Sequence, residues 1–265
     1  MATLNVAVLV KDILDPELPP SRFRLDRAAL RPEAGLGPSI PGPFERSALE
    51  MAMKLKDSAG ARVTAISVGE PGSTDGLRKA LAVKADEAVR VSIPGAAELE
   101  PMVTATLLAA AIGRLSGVNL VVAGRQAGDW DQGQVGYLLA ALLGWPCIGL
   151  ARQATLEGEH LQVRHDHAGG QEVVAVTLPA VVTVTNDDEL LLRMARVNDL
   201  MAAQRRPITD WPAAELVADL EGRRGLEVED IWIPERNSVC EFIEGEDAAE
   251  KAANTARRLQ EMKLL

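Results

Sequence analysis

The sequence predicts a doubly wound, mostly parallel α/β fold with an antiparallel hairpin and a C-terminal helical arm. Two observations carry that reading. Short apolar runs alternate with amphipathic helical stretches as far as Pro146. Hydrophobic residues make up 47% of the 265-residue chain but aromatics only 3%, so the core is aliphatic, as where helices pack on buried parallel strands.

Leu4 to Val10 reads as the first strand, apolar on both faces. A Pro-rich stretch from Asp12 to Pro43 cannot be helical throughout, and a loop of that length in a compact domain is usually functional. Phe44 to Lys56 reads as a helix with Ala48, Met51, Ala52 and Leu55 on one face. Arg62 to Val68 is a strand, and Ser73, Thr74 or Asp75 can cap the helix through Leu77, Leu81 and Ala82. Ala88 to Val91 is a short strand, Pro101 opens a helix, and Leu120 to Ala123 is a strand. Val135 to Leu143 is helical and ends at Gly144.

Beyond Cys147 the rhythm changes. Leu161 to His165 and Glu172 to Thr177 flank Ala168-Gly169-Gly170, a hairpin signal. Ala180 to Thr185 reads as a strand, Val197 to Ala203 as a short helix, Trp211 to Asn237 as mixed, and Asp247 to Met262 as a helix. The expected organisation is an α/β domain over 1–210 and an arm over 211–265, whose last helix packs either on its own domain or on a partner.

The formal net charge of −10 disfavours a long polyanion, and Arg205-Arg206 is too short for a nucleic-acid patch. Two distant cysteines form neither a disulfide framework nor a zinc pattern, so a reduced compartment is expected, the bacterial or archaeal cytoplasm or its equivalent. No signal peptide and no membrane insertion are expected.

Gly124 to Gly136 is the most informative segment. It leaves a buried strand and enters a helix, with Gly128, Gly133 and Gly136 placed to let backbone approach a ligand. The helix start near Gln134 and Val135 offers amides and the positive end of a dipole to a phosphate. The segment is neither a Walker loop nor a G-x-G-x-x-G fingerprint, and an ordinary surface turn is the competing reading. His165-Asp166-His167 reads as a solvated strand face rather than a metal site, and no metal is expected. Asp129 and Asp131 read as loop and cap ligands rather than an acid–base pair. No nucleophile or triad is evident, so no catalytic side chain is assigned; that leaves plain binding or chemistry carried by a cofactor.

Taken in order, these segments resemble the beta (small) subunit of electron-transfer flavoproteins. The resemblance runs through Val8-Leu9-Val10-Lys11, Pro43-Phe44-Glu45 with Ala48 and Glu50, Val68-Gly69, and Ala80-Leu81-Ala82 to Ala85-Asp86. It continues in Gly124-Arg125-Gln126-Ala127 with Asp129, Asp131 and Gln134, then Leu178 to Val184, then Phe242-Ile243-Glu244-Gly245.

The resemblance implies an adenine-nucleotide alpha-hydrolase-like, Rossmann-like sheet and a heterodimer with an alpha subunit that carries most of the FAD. It implies that this chain binds AMP or a second FAD through Leu9, Val68, Gly124, Gln126, Asp129, Asp131, Gln132, Gly133, Gln134 and Val135. Phe44 matches an aromatic near the flavin edge. Val197, Leu200 and Met201 match a segment shown to dehydrogenases, and a quinone oxidoreductase or other acceptor completes the implied partners. The implied role is electron carrier rather than enzyme, with electron bifurcation open.

Gly42 replaces the family's usual Asn, Lys84 stands where Gly is common, and residues 164–170 match poorly. Gln134-Val135-Gly136 favours FAD here, while Trp130 fits neither the AMP nor the FAD pattern. A regulatory module resembling universal stress proteins is the alternative, though its glycine loop is missing. An ATP-splitting enzyme would want a Ser-Gly-Gly loop where Val10-Lys11-Asp12-Ile13 stands.

Overall fold

The computed structural model describes residues 3–96, 100–235 and 240–265. Met1, Ala2 and the end of the mixed stretch at Asn237 therefore lie outside the described residues. The body contains β1 (Asn5–Leu9), β2 (Asp12–Leu14), β3 (Leu25–Asp26), β4 (Arg31–Pro32), β5 (Ser39–Pro41), α1 (Pro43–Ala59), β6 (Arg62–Gly69), α2 (Asp75–Ala82) and β7 (Glu87–Ser92). It continues with α3 (Pro101–Arg114), β8 (Leu120–Gly124), α4 (Val135–Leu143), β9 (Cys147–Glu157), β10 (His160–His167), β11 (Gly170–Thr177) and β12 (Ala180–Val184). The remaining elements are α5 (Val197–Arg205), β13 (Thr209–Pro212), α6 (Ala213–Leu216) and, in the tail, α7 (Ala248–Glu261).

Nine strands form one sheet in the order β11-β10-β9-β12-β8-β1-β6-β7-β13. The run from β9 to β13 is parallel, while β10 and β11 continue it antiparallel. From β1 the chain first builds outward through β6 and β7. It then crosses back to lay β8 on the other side of β1. The direction of winding reverses between β1 and β8, and ligands of open α/β sheets bind outside the strand ends at such a point.

Alternation along β1 explains the two layers. Val6 and Val8 face a core with Leu49, Met53 and Leu55 of α1 and Leu77 and Leu81 of α2. Ala7 and Leu9 face a second core with Leu108 and Ile112 of α3 and Leu139 and Ala140 of α4. Both faces of the parallel strands are covered, as their continuous apolar runs require.

The Pro-rich stretch folds as two small antiparallel pairs, β2 with β5 and β3 with β4. The hairpin turns at Ala168-Gly169-Gly170 as its glycines indicate. Two strands of the nine-stranded sheet escaped the sequence reading. Strand β9 mixes Arg152, Gln153 and apolar residues without clean alternation, because most of it is only half-buried. Strand β13 is four residues long and pairs along one edge only.

By internal contacts the chain divides into Met1–Ile231 and Trp232–Leu265. In the second unit Asp247 caps α7 by accepting from Glu250 N at 2.8 Å, and Arg258 pairs with Glu241 at 2.9 Å. None of the residues of α7 is buried.

Candidate nucleotide-binding cleft

A cleft of about 110 Å³ opens at the carboxyl ends of β1, β6 and β8. Leu9 and Lys11 form one wall, Val68 and Thr104 another, and the turn from Gly124 to Gly136 a third. Of the residues expected from sequence, Leu9, Val68, Gly124, Gln126, Gln132, Gly133, Gln134 and Val135 all line it.

The others stand behind the lining. Asp129 holds Lys11, with Nζ–Oδ distances of 2.7 and 2.9 Å. Asp131 accepts from Gln126 Nε2 at 2.7 Å and sits in the left-handed region at φ 51°. Phe44 lies under the guanidinium of Arg125, 4.7 Å from its ring centre.

The turn's glycines do different work from one another. Gly133 has φ +65° and permits the entry into α4. Gly124 and Gly136 serve packing as well, and Gly136 also lines the cleft. A β-carbon on Gly124 would lie 2.9 Å from Phe44 Cβ, and one on Gly136 would collide with the Thr183 methyl. These two let α1 and α4 close on β8 and β12.

Helix α4 begins at Val135 with Gln134 as its N-cap, and its first intrahelical bond is Leu138 N to Gln134 O at 3.0 Å. The amides of Val135, Gly136 and Tyr137 precede that bond, so the helix itself gives them no acceptor. They carry the positive end of the helix dipole beside the cleft. Arg125 also lines the cleft, and its buried Nε has no hydrogen-bond partner among the described residues. Backbone amides plus an arginine suit a phosphate.

Two acidic groups were missed as features of this site. Glu45 lines the cleft yet is only 5% exposed, and its Oε2 has no hydrogen-bond partner among the described residues. Burial pushes its carboxyl up to about 8, with its own backbone amide and Lys11 opposing the rise and Asp129 and Asp12 adding to it. Asp12 is raised by burial too; Thr74, one of the three residues expected from sequence, is the N-cap of α2 but makes no side-chain cap bond, and Asp12 Oδ2 accepts from Gly76 N there at 3.0 Å. The composition marks Glu45 only as a polar residue in a helix's first turn.

A separate segment, 190–206, carries Val197, Leu200 and Met201. Val197 is 70% exposed, and sequence missed two neighbours, Leu191 at 74% and Met194 at 93%. Arg193 fixes one shoulder of the segment through a forked pair with the buried Glu50, closest at 2.8 Å, and a bond to Asp57 at 2.8 Å. The other shoulder is held reciprocally. Arg78 of α2 donates to the Ala203 carbonyl at 2.7 Å and to that of Arg206, while Arg206 donates to the carbonyls of Ala85, at 2.8 Å, and Asp86. Lys84, at φ 82°, pairs with Asp199.

The His165-Asp166-His167 strand face is committed elsewhere: Asp166 binds Arg152 at 2.7 Å and His165 faces Glu172 at 3.1 Å. Among the described residues no cluster of His, Cys, Asp or Glu could hold a metal, and no helix is long and apolar enough to cross a membrane.

The winding, the switch point and the amide-lined turn define a protein of the doubly wound α/β class, with a cleft at the place where other open sheets bind their ligands. The model of the electron transfer flavoprotein domain matches residues 37–216. The electron transfer flavoprotein subunit beta of Homo sapiens is 33% identical over 264 residues, covering 97% of this chain and all of that one (100%). That of Clostridium acetobutylicum is 32% identical over 219 residues, 82% of this chain and 81% of the relative. The subunit CarD of the caffeyl-CoA reductase–Etf complex of Acetobacterium woodii is 35% identical over 178 residues, 66% of each. The chain belongs to the electron transfer flavoprotein beta subunit family.

Proposed function

We propose that this chain pairs with an alpha subunit that holds the electron-carrying FAD, and passes electrons between dehydrogenases and an acceptor such as a quinone oxidoreductase. In this reading the chain itself binds AMP or a second FAD in the β1/β8 cleft. The observation that carries it is the convergence of eight expected residues, from three separated segments, on one cleft at the topological switch point.

The residues present fit an adenine nucleotide. Amides of Val135, Gly136 and Tyr137 and the Arg125 guanidinium would hold its phosphate, while Leu9, Val68 and Leu108 supply apolar wall. An FAD, when bound, supplies the redox chemistry; the chain's residues bind, orient and exclude water. Asp129 keeps Lys11 in place, and Asp131 keeps Gln126 turned along the loop. Leu191, Met194, Val197, Leu200 and Met201 form the docking surface for dehydrogenases, presented between shoulders fixed by arginines. The arm, with no buried residue on α7, is the contact for the alpha subunit.

Co-expression with its alpha subunit is expected to yield a yellow complex with a flavin spectrum. A complex that stays colourless with FAD added overturns the reading. Released nucleotide then separates two forms: one FAD plus one AMP per heterodimer marks a simple carrier, and two FAD favour bifurcation. The Acetobacterium relative is named as part of a reductase complex, so a larger assembly with a reductase is a second partner class for this chain.

A further inference from the structure

The wall of the cleft nearest α1 carries more acid than it can neutralise. Asp12 and Asp129, just behind the lining, both act on Glu45 there, and Lys11 is the cation that opposes them. Lys11 is already bonded to both carboxylate oxygens of Asp129, at 2.7 and 2.9 Å. Asp12 has the amide of Gly76. Arg125, stacked on Phe44, makes no ion pair among the described residues, and it lines the cleft.

Glu45 is thus left with an unpartnered oxygen in a buried site. Its place is fixed by Gly42: a β-carbon at 42 would run into Glu45 Oε2, so the absence of a side chain there is what lets the carboxyl fold back beside the cleft. A buried carboxylate without a cation is costly, and the group takes up a proton instead. A protonated acid has an O–H to donate, whereas an ionised one is acceptor-only and repels phosphate.

We propose that Glu45 is a proton-controlled hydrogen-bond donor in the nucleotide cleft, admitting an adenine nucleotide when protonated and weakening its binding when ionised. This rests on the cofactor reading above. It gives the site a regulation that the amide-lined turn alone lacks, because backbone amides do not titrate. Loss of the proton lies near pH 8, so control falls on the alkaline side of neutrality.

The test is calorimetric titration of AMP into the dialysed heterodimer from pH 7 to 9.5, a range in which the AMP phosphate is already mostly the dianion and its remaining ionisation would tighten rather than weaken binding to amides and arginine. Affinity for the wild type is expected to hold near pH 7 and then fall, approaching tenfold per pH unit above 8. Glu45→Gln keeps a neutral donor, so its affinity is expected to stay near the wild-type pH 7 level across the range. Glu45→Ala is expected to bind weakly with a flat profile. A flat wild-type profile, or the same alkaline fall in Glu45→Gln, overturns the proposal while leaving the cofactor reading intact. Absence of nucleotide binding at every pH, with FAD as the second probe, overturns both.

Discussion

The cleft and the docking segment achieve rigidity by opposite means. The cleft is assembled from strand ends, helix starts and close glycine contacts, and its polar groups include buried atoms left without partners. The segment 190–206 is continuous in sequence and shows apolar side chains outward, and charged bonds to α1 and α2 pin its shoulders. One region holds polar capacity in reserve for a ligand. The other spends its polar groups on its own placement and reserves apolar surface. A small diffusible cofactor calls for the first arrangement, and transient contact with a large protein partner calls for the second.

The widest separation between the regions is expected in pH dependence. A carboxyl raised to about 8 makes the folded chain bind more protons than the unfolded chain between its ordinary value near 4.5 and about 8. Wild-type stability therefore falls as pH rises through that window and levels off above it. Glu45→Gln lacks that titration, so its advantage over wild type is expected to open from pH 5 and reach on the order of 5 kcal/mol at pH 9, read by urea unfolding.

Glu50→Ala breaks a pair in which the carboxylate is buried and Arg193 is one-third exposed. A loss of about 2 kcal/mol is expected, below the range for fully buried pairs because water screens the arginine. Nucleotide content should be unchanged, while the KM for a dehydrogenase rises. A parallel loss of nucleotide would show that the two regions are not mechanically separate.

Lys84 occupies a left-handed conformation at φ 82°. Glycine adopts it freely, so Lys84→Gly is expected to stabilise the chain by about 0.5–1 kcal/mol in the same assay, with little lost from the exposed pair to Asp199. The sequence departure at this position is thereby explained: the turn after α2 favours Gly on conformational grounds. Met194→Ser is expected to move stability by less than about 0.5 kcal/mol, because the side chain is 93% exposed. Its effect should appear only in dehydrogenase docking.

The sheet was readable because its strands are continuous apolar runs, Leu120-Val121-Val122-Ala123 being the clearest. The turn from Gly124 to Gly136 was readable as a cleft wall because it is one contiguous segment. Glu45 was not, since its burial follows from the missing side chain at Gly42 and from a neighbouring strand end. Leu191 and Met194 were passed over because apolar residues in sequence read as core, and only the fold reveals that these face outward. The packing role of Gly136 was hidden in the same way, since a glycine that admits a ligand and one that admits a threonine methyl look alike until β12 is placed.

The most direct measurement is a crystal structure of the co-purified heterodimer. The account expects a cofactor phosphate within hydrogen-bonding reach of the Val135 and Gly136 amides, at the edge where β1 and β8 part. Phosphate bound elsewhere, with those amides turned to solvent or to protein, would contradict it.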